Sequence, residues 1–529
     1  MKKVKSLIAL LLIACLVLAL FAACTKTETT TPGNTDNTSK PAEPSKPADT
    51  DKPTDTTPPA DEDEEAPEIN VYLYDLRQTG ADYGEHVAEA IRELTLERIN
   101  VAANANWVTG GNWQNTVLLA ISGGEKLDVI ATTMGNTPAV LYTQKQALDI
   151  SKYMEEYGSE TLELMKEYIG VGQYGGGLYG IPTLRNYCKN GYIAMNAEIL
   201  DALGLREKAE KCRSFSELEE IYQAVKENYT DKGEGIYAFG SSSALYSDNY
   251  ISNGDNFDDY IVYDNLGGTG STLFCQEDGK IQSYYALPNF ADECRRVRDW
   301  TEKGYNWPES AVDTTFQDEL MKQKVLFSIA VGSEYGVQTT KSNSYGYEVF
   351  CLELCKGIVK TAQPLSWGCA VPVTTEEPEA ACKFINMMYT DSDLMNLLVW
   401  GVEGVDYTVK DDQVVSAEGG HFYEADFLIG NNTILTPLYG NGPDFYEKVK
   451  EINATADKSK FLGFNITTTD MDMWLSQIST VTDQYSKSLM YGGYTEEVMA
   501  EYVAKLEAAG VRDYQEAAQK QLDAFMAAK

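Results

Sequence analysis

The sequence of 529 residues predicts an α/β protein folded in two bodies, and three observations support this fold class. Strand and helix patterns alternate near the start of the folded part, which is typical of a parallel sheet. A glycine-rich turn that ends at Pro182 then interrupts the alternation. A second series of strand and helix patterns follows it, and the folded part is long enough for two or three domains.

Residues 69–133 carry the alternating pattern. Val87, Ile91 and Leu94 recur at the spacing of one helical face, and the pair Gly123-Gly124 is typical of a helix stop. The predicted elements, in order, are a strand over 69–74, a helix over 83–98, a strand over 99–108, a helix over 114–122 and a strand over 127–133. This βαβαβ order predicts parallel strands.

Loops follow the carboxyl ends of these three strands, at residues 75–83, 109–113 and 133–138. In a parallel sheet such loops meet at one edge, where the ligands of α/β proteins bind. Asp75 and Arg77 at the end of the first strand are therefore candidate site residues, although no motif marks them. Thr133 and Asn136 in the third loop are candidates at the same edge.

The stretch GQYGGGLYGIPTLRNY (172–187) predicts a chain crossing between two bodies. Its glycines do not form a phosphate-binding loop, because no Gly-Lys-Ser/Thr follows and no strand precedes them. Pro182 fixes the backbone φ angle and so limits how the crossing bends. Arg185 and Tyr187 come shortly after Pro182, and both are candidate ligand-binding residues.

The second part of the chain carries weaker patterns. SFSELEEIYQAVKENY (214–229) predicts a helix with Ser216 and Glu219 as its capping box. Residues 240–290 are rich in Gly, Ser, Asp and Tyr, and predict loops with short strands. Further predicted elements are strands over 325–332, 347–354 and 366–373 and helices over 377–389 and 495–510.

The start of the chain resembles a bacterial lipoprotein signal. Three lysines among the first five residues precede an apolar run over 7–21 that is too short for a membrane span, and two alanines lead to Cys24. In such a signal the peptide 1–23 is removed and Cys24 is lipidated. Phe21 stands where leucine is usual, Cys15 offers a poorer match, and an ordinary secreted protein with a chance cysteine is the alternative.

Residues 25–66 are rich in Thr, Pro, Asp and Lys and contain no aromatic residue, so they cannot bury enough apolar surface to fold. With Cys24 they predict a lipid-anchored, disordered tether over 24–67. The net charge of the chain is −37; the leader carries three lysines and the tether eleven acids and four lysines, which leaves about −33 for the rest. Such a surface repels nucleic acid and anionic lipid, so we expect membrane attachment through the lipid alone.

The chain has ten cysteines and two histidines. Eight cysteines follow Cys24 without a Cys-x-x-Cys pair, and we interpret most as small buried residues, with room for one or two bridges. Cys351 and Cys355 share a face of a predicted strand but are spaced poorly for a disulfide. Two histidines leave little to bind zinc, and we predict no metal site and no cofactor.

Several segments together resemble the extracellular solute-binding lipoproteins of bacterial ABC sugar importers. They are LAISGGEKLDVIAT (119–132), LDISKYMEEYG (148–158), LYGIPTLRNYCKNGYIAMNAEILDALGL (178–205) and SWGCAVPVTTEEPEAACKFINMMYTDSDLMNLLVWGVEGVDY (366–407). The last third, with GPDFYEKVKEINATADKSKFLGFN (442–465), is similar to the C-terminal region of the LipO-type branch, in solute-binding protein family 1. The resemblance covers most of residues 68–529, and residues 230–320 carry little of it.

This resemblance implies a two-lobed fold of the type II periplasmic-binding-protein class, with lobes joined by a multi-segment hinge and the ligand captured between them. It also implies delivery of the ligand, usually a carbohydrate, to ABC permease subunits on the outer face of a Gram-positive-type cell membrane. The chain would cross between lobes near 181–187, 367–372 and 404–407. Lobe 1 would comprise 68–182 and 373–404, and lobe 2 would comprise 183–366 and 405–529.

Sugars present flat C–H faces and many hydroxyls, so we expect aromatic platforms and planar polar groups around the ligand. Arg185 would bond either ligand hydroxyls or an acid of the other lobe. Aromatic candidates in loops or near crossings are Trp107, Trp113, Tyr187, Trp367 and Tyr439, and Tyr335 completes the set. A place in the core is the alternative for each ring. The helix patterns predict core positions for Trp300, Trp400 and Trp474.

The sequence therefore predicts a monomeric, lipid-anchored extracellular receptor for an oligosaccharide or other small solute, not an enzyme. Acids are abundant, but no spacing marks a glycosidase pair, and the nucleophile motif Gly-x-Ser-x-Gly does not occur. A surface lipoprotein enzyme that acts on glycans, a peptide-binding receptor and a structural or adhesive lipoprotein are the alternatives. The identity and length of the ligand do not follow from the sequence.

Overall fold

This computed structural model describes residues 66–77, 84–133, 135–240, 250–266, 273–275, 278–310, 317–417, 424–464, 466–468 and 470–529. All of them belong to one structural unit, Glu65–Lys529. The predicted signal peptide, Cys24 and the tether as far as residue 65 lie outside the described residues, as do residues 78–83 of the first predicted loop.

The strands of the described residues are mostly short. They are β1 (Glu68–Asp75), β2 (Ala102–Thr109), β3 (Val129–Thr132), β4 (Gln173–Tyr174), β5 (Gly177–Leu178), β6 (Ile181–Pro182), β7 (Asn190–Asn196), β8 (Tyr250–Ser252), β9 (Tyr260–Val262), β10 (Leu273–Cys275), β11 (Ile281–Ser283), β12 (Ser328–Ser333), β13 (Val349–Cys355), β14 (Gly368–Ala370), β15 (Tyr407–Lys410) and β16 (Gln413–Ser416).

The α-helices are longer towards the end of the chain. They are α1 (Glu85–Ile99), α2 (Trp113–Gly123), α3 (Pro138–Thr143), α4 (Ser151–Tyr157), α5 (Ser159–Met165), α6 (Ala197–Ala202), α7 (Arg206–Lys211), α8 (Phe215–Val225), α9 (Pro288–Glu302), α10 (Gln317–Lys322), α11 (Val337–Tyr345), α12 (Ala362–Leu365), α13 (Pro378–Thr390), α14 (Ser392–Trp400), α15 (Phe445–Thr455), α16 (Asp472–Ser488), α17 (Glu496–Ala508) and α18 (Val511–Ala528).

The first sheet has five strands in the order β2-β1-β3-β14-β6. Strand β1 pairs in parallel with β2 and with β3, where Val71 lies opposite Val129, so the predicted parallel βαβαβ unit is confirmed. Strand β14 pairs antiparallel with both β3 and β6. Strands β6 and β14 belong to two of the predicted crossing segments. At both segments the chain therefore returns to the first sheet and adds a strand to it.

The second sheet is antiparallel, with the order β12-β7-β13. Ala194 at its centre lies opposite Ile329 on one side and Cys351 on the other. Strand β7 begins three residues after Tyr187, so the second sheet starts as soon as the first crossing ends. The short strands predicted within 240–290 are present where this region is described, as β8 to β11.

The capping box predicted at Ser216 and Glu219 is wrong by two residues. Helix α8 begins at Phe215, and the side chain of Ser214 accepts from the Glu217 backbone N–H at 3.2 Å. Ser214 has the extended backbone that an N-cap needs, because it is bridged to Asn256. The Glu219 carboxylate instead accepts from Trp300 Nε1 at 2.9 Å.

Separate hydrophobic clusters support the two sheets. The largest surrounds the first sheet and also contains side chains from the 407–449 region, among them Tyr407, Val414, Tyr446 and Val449. Two clusters cover the faces of the second sheet, and another joins β10 and β11 to helices α16 to α18. The 407–449 region therefore packs with the first sheet.

Among the described residues, the eight cysteines after Cys24 form no disulfide with one another, and six of them are buried and two partly buried. Most are therefore small buried residues, as predicted, and the bridges for which the sequence left room do not form. Burial raises the pKa of the Cys355 thiol to about 12, which makes it a poor nucleophile. Within the described ranges, no helix has the length and apolar character needed to cross a membrane.

Candidate functional site

A cavity of about 280 Å³ lies where the first crossing, the end of β12 and the 424–449 region meet. Small-molecule sites usually begin at roughly this volume. Its wall contains aliphatic, aromatic, amide and charged side chains. Among the residues that line the cavity are Arg185, Asn186, Glu334, Tyr335, Trp400, Asp426, Phe427, Asn432, Asn441, Phe445 and Tyr446.

The end of β12 places an aromatic pair in this wall. Tyr335 follows the strand and stacks on Phe445, with ring centroids 5.3 Å apart and an angle of 24° between the ring planes. Gly336 allows this approach: its φ is +91°, and a Cβ added there would lie 2.6 Å from the Phe445 ring. Tyr335 is 37% exposed, so its ring is accessible from the cavity side.

Arg185 forms an ion pair across the floor of the cavity. Its Nη1 donates to Glu334 Oε1 at 3.1 Å, and its Nη2 donates to the Gln363 carbonyl at 3.3 Å. Lys189 lies 3.6 Å from the same Glu334 oxygen. Arg185 therefore binds an acid, but Glu334 belongs to the same predicted lobe, so both roles predicted for Arg185 stay predictions. The guanidinium Nε has no hydrogen-bond partner among the described residues.

Four buried polar atoms in the wall have no partner within the described part of the chain. Two are donors, Arg185 Nε and Asn186 Nδ2, and two are acceptors, Asn432 Oδ1 and Asn441 Oδ1. Buried polar groups without partners are rare in native proteins. A hydroxyl both donates and accepts, so a polyhydroxylated ligand would satisfy both kinds of atom.

Asp426 is the acid of this wall that forms no ion pair among the described residues. Its Oδ2 accepts from the Tyr446 hydroxyl at a long distance of 3.4 Å. Burial, with a smaller contribution from the nearby Glu334 charge, raises the pKa of the Asp426 carboxyl to about 6, and Arg185 opposes the shift. The carboxyl therefore titrates near neutral pH.

A path of aromatic rings joins the cavity to the carboxyl edge of the first sheet. Phe427 of the cavity wall packs on Trp367, with ring centroids 5.6 Å apart. Trp367 meets Tyr74 edge-on at 5.4 Å, and Tyr74 meets Trp113 at the same distance. The predicted candidate Trp367 is half-buried and lies one ring away from the cavity.

The loops at the carboxyl edge meet as the βαβαβ pattern predicts. Trp113 Nε1 donates to Asn136 Oδ1 at 3.2 Å, and the Thr133 backbone N–H donates to the same oxygen at 3.0 Å. All three residues are buried, with exposures of 1%, 0% and 6% for Trp113, Asn136 and Thr133. In this structure their polar atoms hold the loops together.

Asp75 and Glu424 form a buried carboxyl pair at the end of β1. Asp75 is fully buried, and Glu424 is 3% exposed. Burial raises the pKa of Glu424 to about 8, and the charge of Asp75 contributes to the increase. The backbone N–H groups of Leu76 and Ala425 and the exposed Arg77 oppose it.

The remaining predicted candidates lie outside the cavity wall. Trp107 is 6% exposed and packs against Gly84. Tyr187 is fully buried, and its hydroxyl donates to the Thr183 carbonyl. Tyr439 is 41% exposed, with Lys410 Nζ 3.2 Å from its hydroxyl. A direct role of these three in ligand binding stays a prediction.

Trp300 and Trp400 are buried, as their helix patterns predict, with exposures of 3% and 4%. Trp400 nevertheless contributes to the cavity wall, and its Nε1 donates to the Thr436 carbonyl at 3.0 Å. Trp474 is half-buried in α16 and packs against Gly510.

Sequence reasoning missed the contribution of the 424–449 region to the cavity. Asp426, Phe427 and Phe445 were not candidates, nor were Asn432 and Asn441. The available signal was composition: this region combines asparagines, glycines and aromatic residues with little regular structure. Such a mixture is typical of loops that carry binding residues.

Comparison with known proteins assigns the family. Residues 85–394, more than half of the chain, match the profile described as bacterial extracellular solute-binding protein. The chain belongs to this family. A second match covers residues 460–527 of the solute-binding protein and is described as a domain of unknown function, DUF3502. The family is extracellular, which sets the side of the membrane on which the protein acts.

This solute-binding protein is similar to a carbohydrate ABC transporter substrate-binding protein of Streptococcus pneumoniae serotype 4. The identity is 22% over 470 residues, which are 86% of this chain and 91% of the relative. Among solved structures, it resembles the N-glycan transport solute binding protein NgtS of Streptococcus pneumoniae, with a TM-score of 0.73 and 19% identity over 87% of this chain and 99% of that one.

A further similar structure is a solute-binding protein from Bifidobacterium longum infantis described as binding HMO. Its TM-score is 0.58 at 16% identity, over 88% of this chain and all of the other. These likenesses show the fold of the solute-binding protein. It is the α/β, two-lobed type II periplasmic-binding-protein fold with a multi-segment hinge, as predicted.

Proposed function

We propose that this solute-binding protein captures an oligosaccharide in the Arg185–Asp426 cavity and delivers it to an ABC permease. The observation that carries the proposal is the wall of the cavity. Unpartnered donors and acceptors lie beside the stacked rings of Tyr335 and Phe445. Hydroxyls of a sugar match the polar atoms, and its C–H faces match the rings. The relatives named above, a carbohydrate transporter component and an N-glycan binder, support the same ligand class.

The lobe boundaries of the proposal follow the predicted crossings, and with these boundaries Trp400 is the one residue lining the cavity that belongs to lobe 1. Lobe 1 is 68–182 with 373–404, and lobe 2 is 183–366 with 405–529. The packing of Tyr407 and Tyr446 with the first sheet is an argument for moving the region around them to lobe 1. In either division, Arg185 comes from the first crossing and Glu334 from the second sheet.

The proposal also includes attachment to the membrane. Cys24 carries the lipid after removal of residues 1–23, and the tether over 24–67 holds a monomeric receptor near its permease. A coil of 42 residues spans roughly 35–40 Å, which gives the folded part freedom to collect ligand and to dock. The receptor binds its ligand without chemical change and takes no cofactor.

A thermal-shift screen tests the ligand class. The panel contains Man1GlcNAc, Man5GlcNAc, neutral milk oligosaccharides, kestose and a set of short peptides. A ligand that binds only the folded protein at a hundred times its Kd adds about 2.7 kcal/mol to the free energy of unfolding. We expect a higher melting temperature with at least one neutral glycan and with no peptide.

Two outcomes would contradict the proposal. A shift with peptides alone would identify a peptide receptor. Shortened glycan products, detected by mass spectrometry after incubation, would identify an enzyme. The matched control is Trp474→Ala, which changes a half-buried tryptophan outside the cavity. It should bind the same glycan with unchanged affinity, because Trp474 packs against the hydrophobic cluster around α16 to α18 and does not line the cavity.

A further inference from the structure

Asp426 occupies a distinct position in the cavity wall. It lies between Ala425 and Phe427, and through Phe427 it is next to the aromatic path that leads to Trp367. Its side chain faces Tyr446 of α15 and the ion pair of Glu334 on the other side. The carboxylate is therefore close to both a stacking surface and the polar floor of the cavity.

Glu334 and Asp426, two acids that line the cavity, differ in their hydrogen-bond and ion-pair partners. Glu334 already accepts from Arg185 at 3.1 Å and has Lys189 at 3.6 Å. Asp426 accepts a long bond from Tyr446 and a bond from its own backbone N–H, and among the described residues no lysine or arginine forms an ion pair with it. A carboxylate has about four lone-pair sites for acceptance. Asp426 is half-buried and thus keeps about half of its acceptor sites for a ligand.

We propose that the Asp426 carboxylate accepts hydrogen bonds from two hydroxyls of the bound sugar, so that capture requires its ionised form. The inference rests on the proposed function. Closure of the lobes would remove the water around this carboxylate, and a buried charge without hydrogen bonds is unfavourable. Two sugar hydroxyls would replace the water with charge-assisted bonds. The ligand class is accordingly a neutral sugar with neighbouring hydroxyls, and a carboxylated sugar would be repelled.

Titration of Asp426 makes this capture dependent on pH. The pKa of the free carboxyl is about 6, raised by burial and by Glu334. Since the ligand binds the ionised form of the Asp426 carboxyl, the affinity for the glycan falls as the pH drops through 6. One pH unit below the pKa only about a tenth of the carboxyl is ionised, so binding at pH 5 should be about tenfold weaker than above pH 7.

Other groups near Asp426 titrate as well, and they must be separated from it. On its own segment Glu424 has a pKa raised to about 8, mainly by burial, which would produce a step at higher pH. The charged and titratable groups from the elements packed around the carboxylate are Arg185, Lys189, Glu334, Tyr335, Tyr446 and the Asp444–Lys448 pair.

Calorimetric titration of the mature full-length chain tests the inference. The probe is the neutral glycan of the panel that gives the largest thermal shift, with Man5GlcNAc as the first choice. Its affinity is measured at half-unit intervals from pH 5 to pH 8. Asp426→Asn keeps the side-chain volume and removes the charge. We expect the wild type to lose about tenfold in affinity between pH 7 and pH 5. The variant should bind at least tenfold more weakly at pH 7.5 and show no step near pH 6.

The control is Asp258→Asn, an exposed carboxyl outside the cavity, which should reproduce the wild-type profile. The melting temperature of Asp426→Asn at pH 7.5 should equal or exceed that of the wild type, which separates lost binding from lost folding. Equal profiles for wild type and Asp426→Asn would overturn the inference alone. A wild type that binds no glycan of the panel would overturn both the inference and the proposed function.

Discussion

The Arg185 guanidinium donates to the Glu334 carboxylate with an Nη1–Oε1 distance of 3.1 Å. Arg185 lies in the predicted crossing segment 181–187, and Glu334 follows the last residue of β12, so this ion pair joins that segment to the end of a strand of the second sheet. Both side chains line the cavity. If the second sheet moves relative to the crossing segment, Arg185 and Glu334 must either move together or lose their ion pair.

Replacement of Arg185 should affect both folding and binding. Arg185 is 8% exposed, and its removal leaves Glu334 with Lys189 alone. We expect Arg185→Ala to lower the free energy of unfolding by about 1–3 kcal/mol, because a desolvated partner loses its hydrogen bond. Arg185→Lys should retain more stability, yet still bind glycan more weakly, since lysine lacks the planar fork.

Melting curves and calorimetry on both Arg185 variants measure these effects. Arg512→Ala is the control, because Arg512 pairs with Glu507 on an exposed face far along the chain. Its stability and affinity should match the wild type. Normal binding by Arg185→Ala would show that the guanidinium does not contact the ligand.

Trp367 should contribute to binding through its ring. Its neighbours are Tyr74 and Phe427, and it is half-buried in the ligand-free structure. We expect Trp367→Ala to weaken glycan binding by about 1–3 kcal/mol, the range of an aromatic hot spot. The loss of stability should be smaller than the roughly 3–5 kcal/mol typical of a buried tryptophan.

Calorimetry and a melting curve on Trp367→Ala separate the two effects, with Trp474→Ala as the matched substitution outside the cavity. Unchanged affinity together with normal stability would remove Trp367 from the site. A large loss of stability with unchanged affinity would assign the ring to the core.

The carboxyl pair of Asp75 and Glu424 should make stability depend on pH. The folded-state pKa of Glu424 is raised to about 8, so its stabilising contribution is complete below the unfolded value and is lost as pH rises towards 8. Glu424→Gln removes this loss. We expect the variant to exceed the wild type by on the order of 2 kcal/mol near pH 8, and to match it near pH 4.5.

Urea unfolding at a series of pH values measures the Glu424 effect. Glu353→Gln, at an exposed strand position, serves as the comparison, and its stability should differ from that of the wild type by a small amount that does not change with pH. Equal stability of Glu424→Gln and the wild type from pH 4.5 to pH 8 would show that folding does not raise the pKa of the Glu424 carboxyl.

Ligand binding should close the two lobes about the segments 181–187 and 367–372. Hinged closure is distributed over a few residues whose dihedral angles change. Small-angle scattering of the protein with and without the glycan selected by the screen should show a smaller radius of gyration in the complex. An unchanged scattering profile at saturating ligand would argue against closure.

The mature chain should begin at a lipidated Cys24. Mass spectrometry of the native N-terminus should find a modified cysteine, and Cys24→Ser should release the protein into the medium. An unmodified N-terminus at Ala22 or Thr25 would contradict this prediction.

Much of the fold was predictable because it depends on short-range patterns. The alternation over 69–133 predicted three parallel strands, and β1, β2 and β3 pair as expected. The error at Ser214 and Ser216 has a clear cause: both serines precede an acid by three residues, and only the pairing of Ser214 with Asn256 selects between them.

The site was predictable in part. Arg185, Tyr335 and Trp367 lie in or next to the cavity wall. Trp113 and Tyr187 also follow crossings or loops in the sequence, but their rings point into the core. Position along the chain indicates which edge a residue occupies, whereas the direction of its side chain depends on neighbours that are distant in sequence.

The sequence by itself determined the parallel sheet, the acidic composition and the family, because each depends on local periodicity, composition or contiguous motifs. Only the tertiary structure decided that Asp426, Asn432 and Phe445 share a cavity with Arg185. These residues are separated from Arg185 by more than two hundred positions and lie in or beside irregular segments. Their meeting depends on how the 424–449 region packs on the core of the first sheet, and no local pattern encodes such long-range packing.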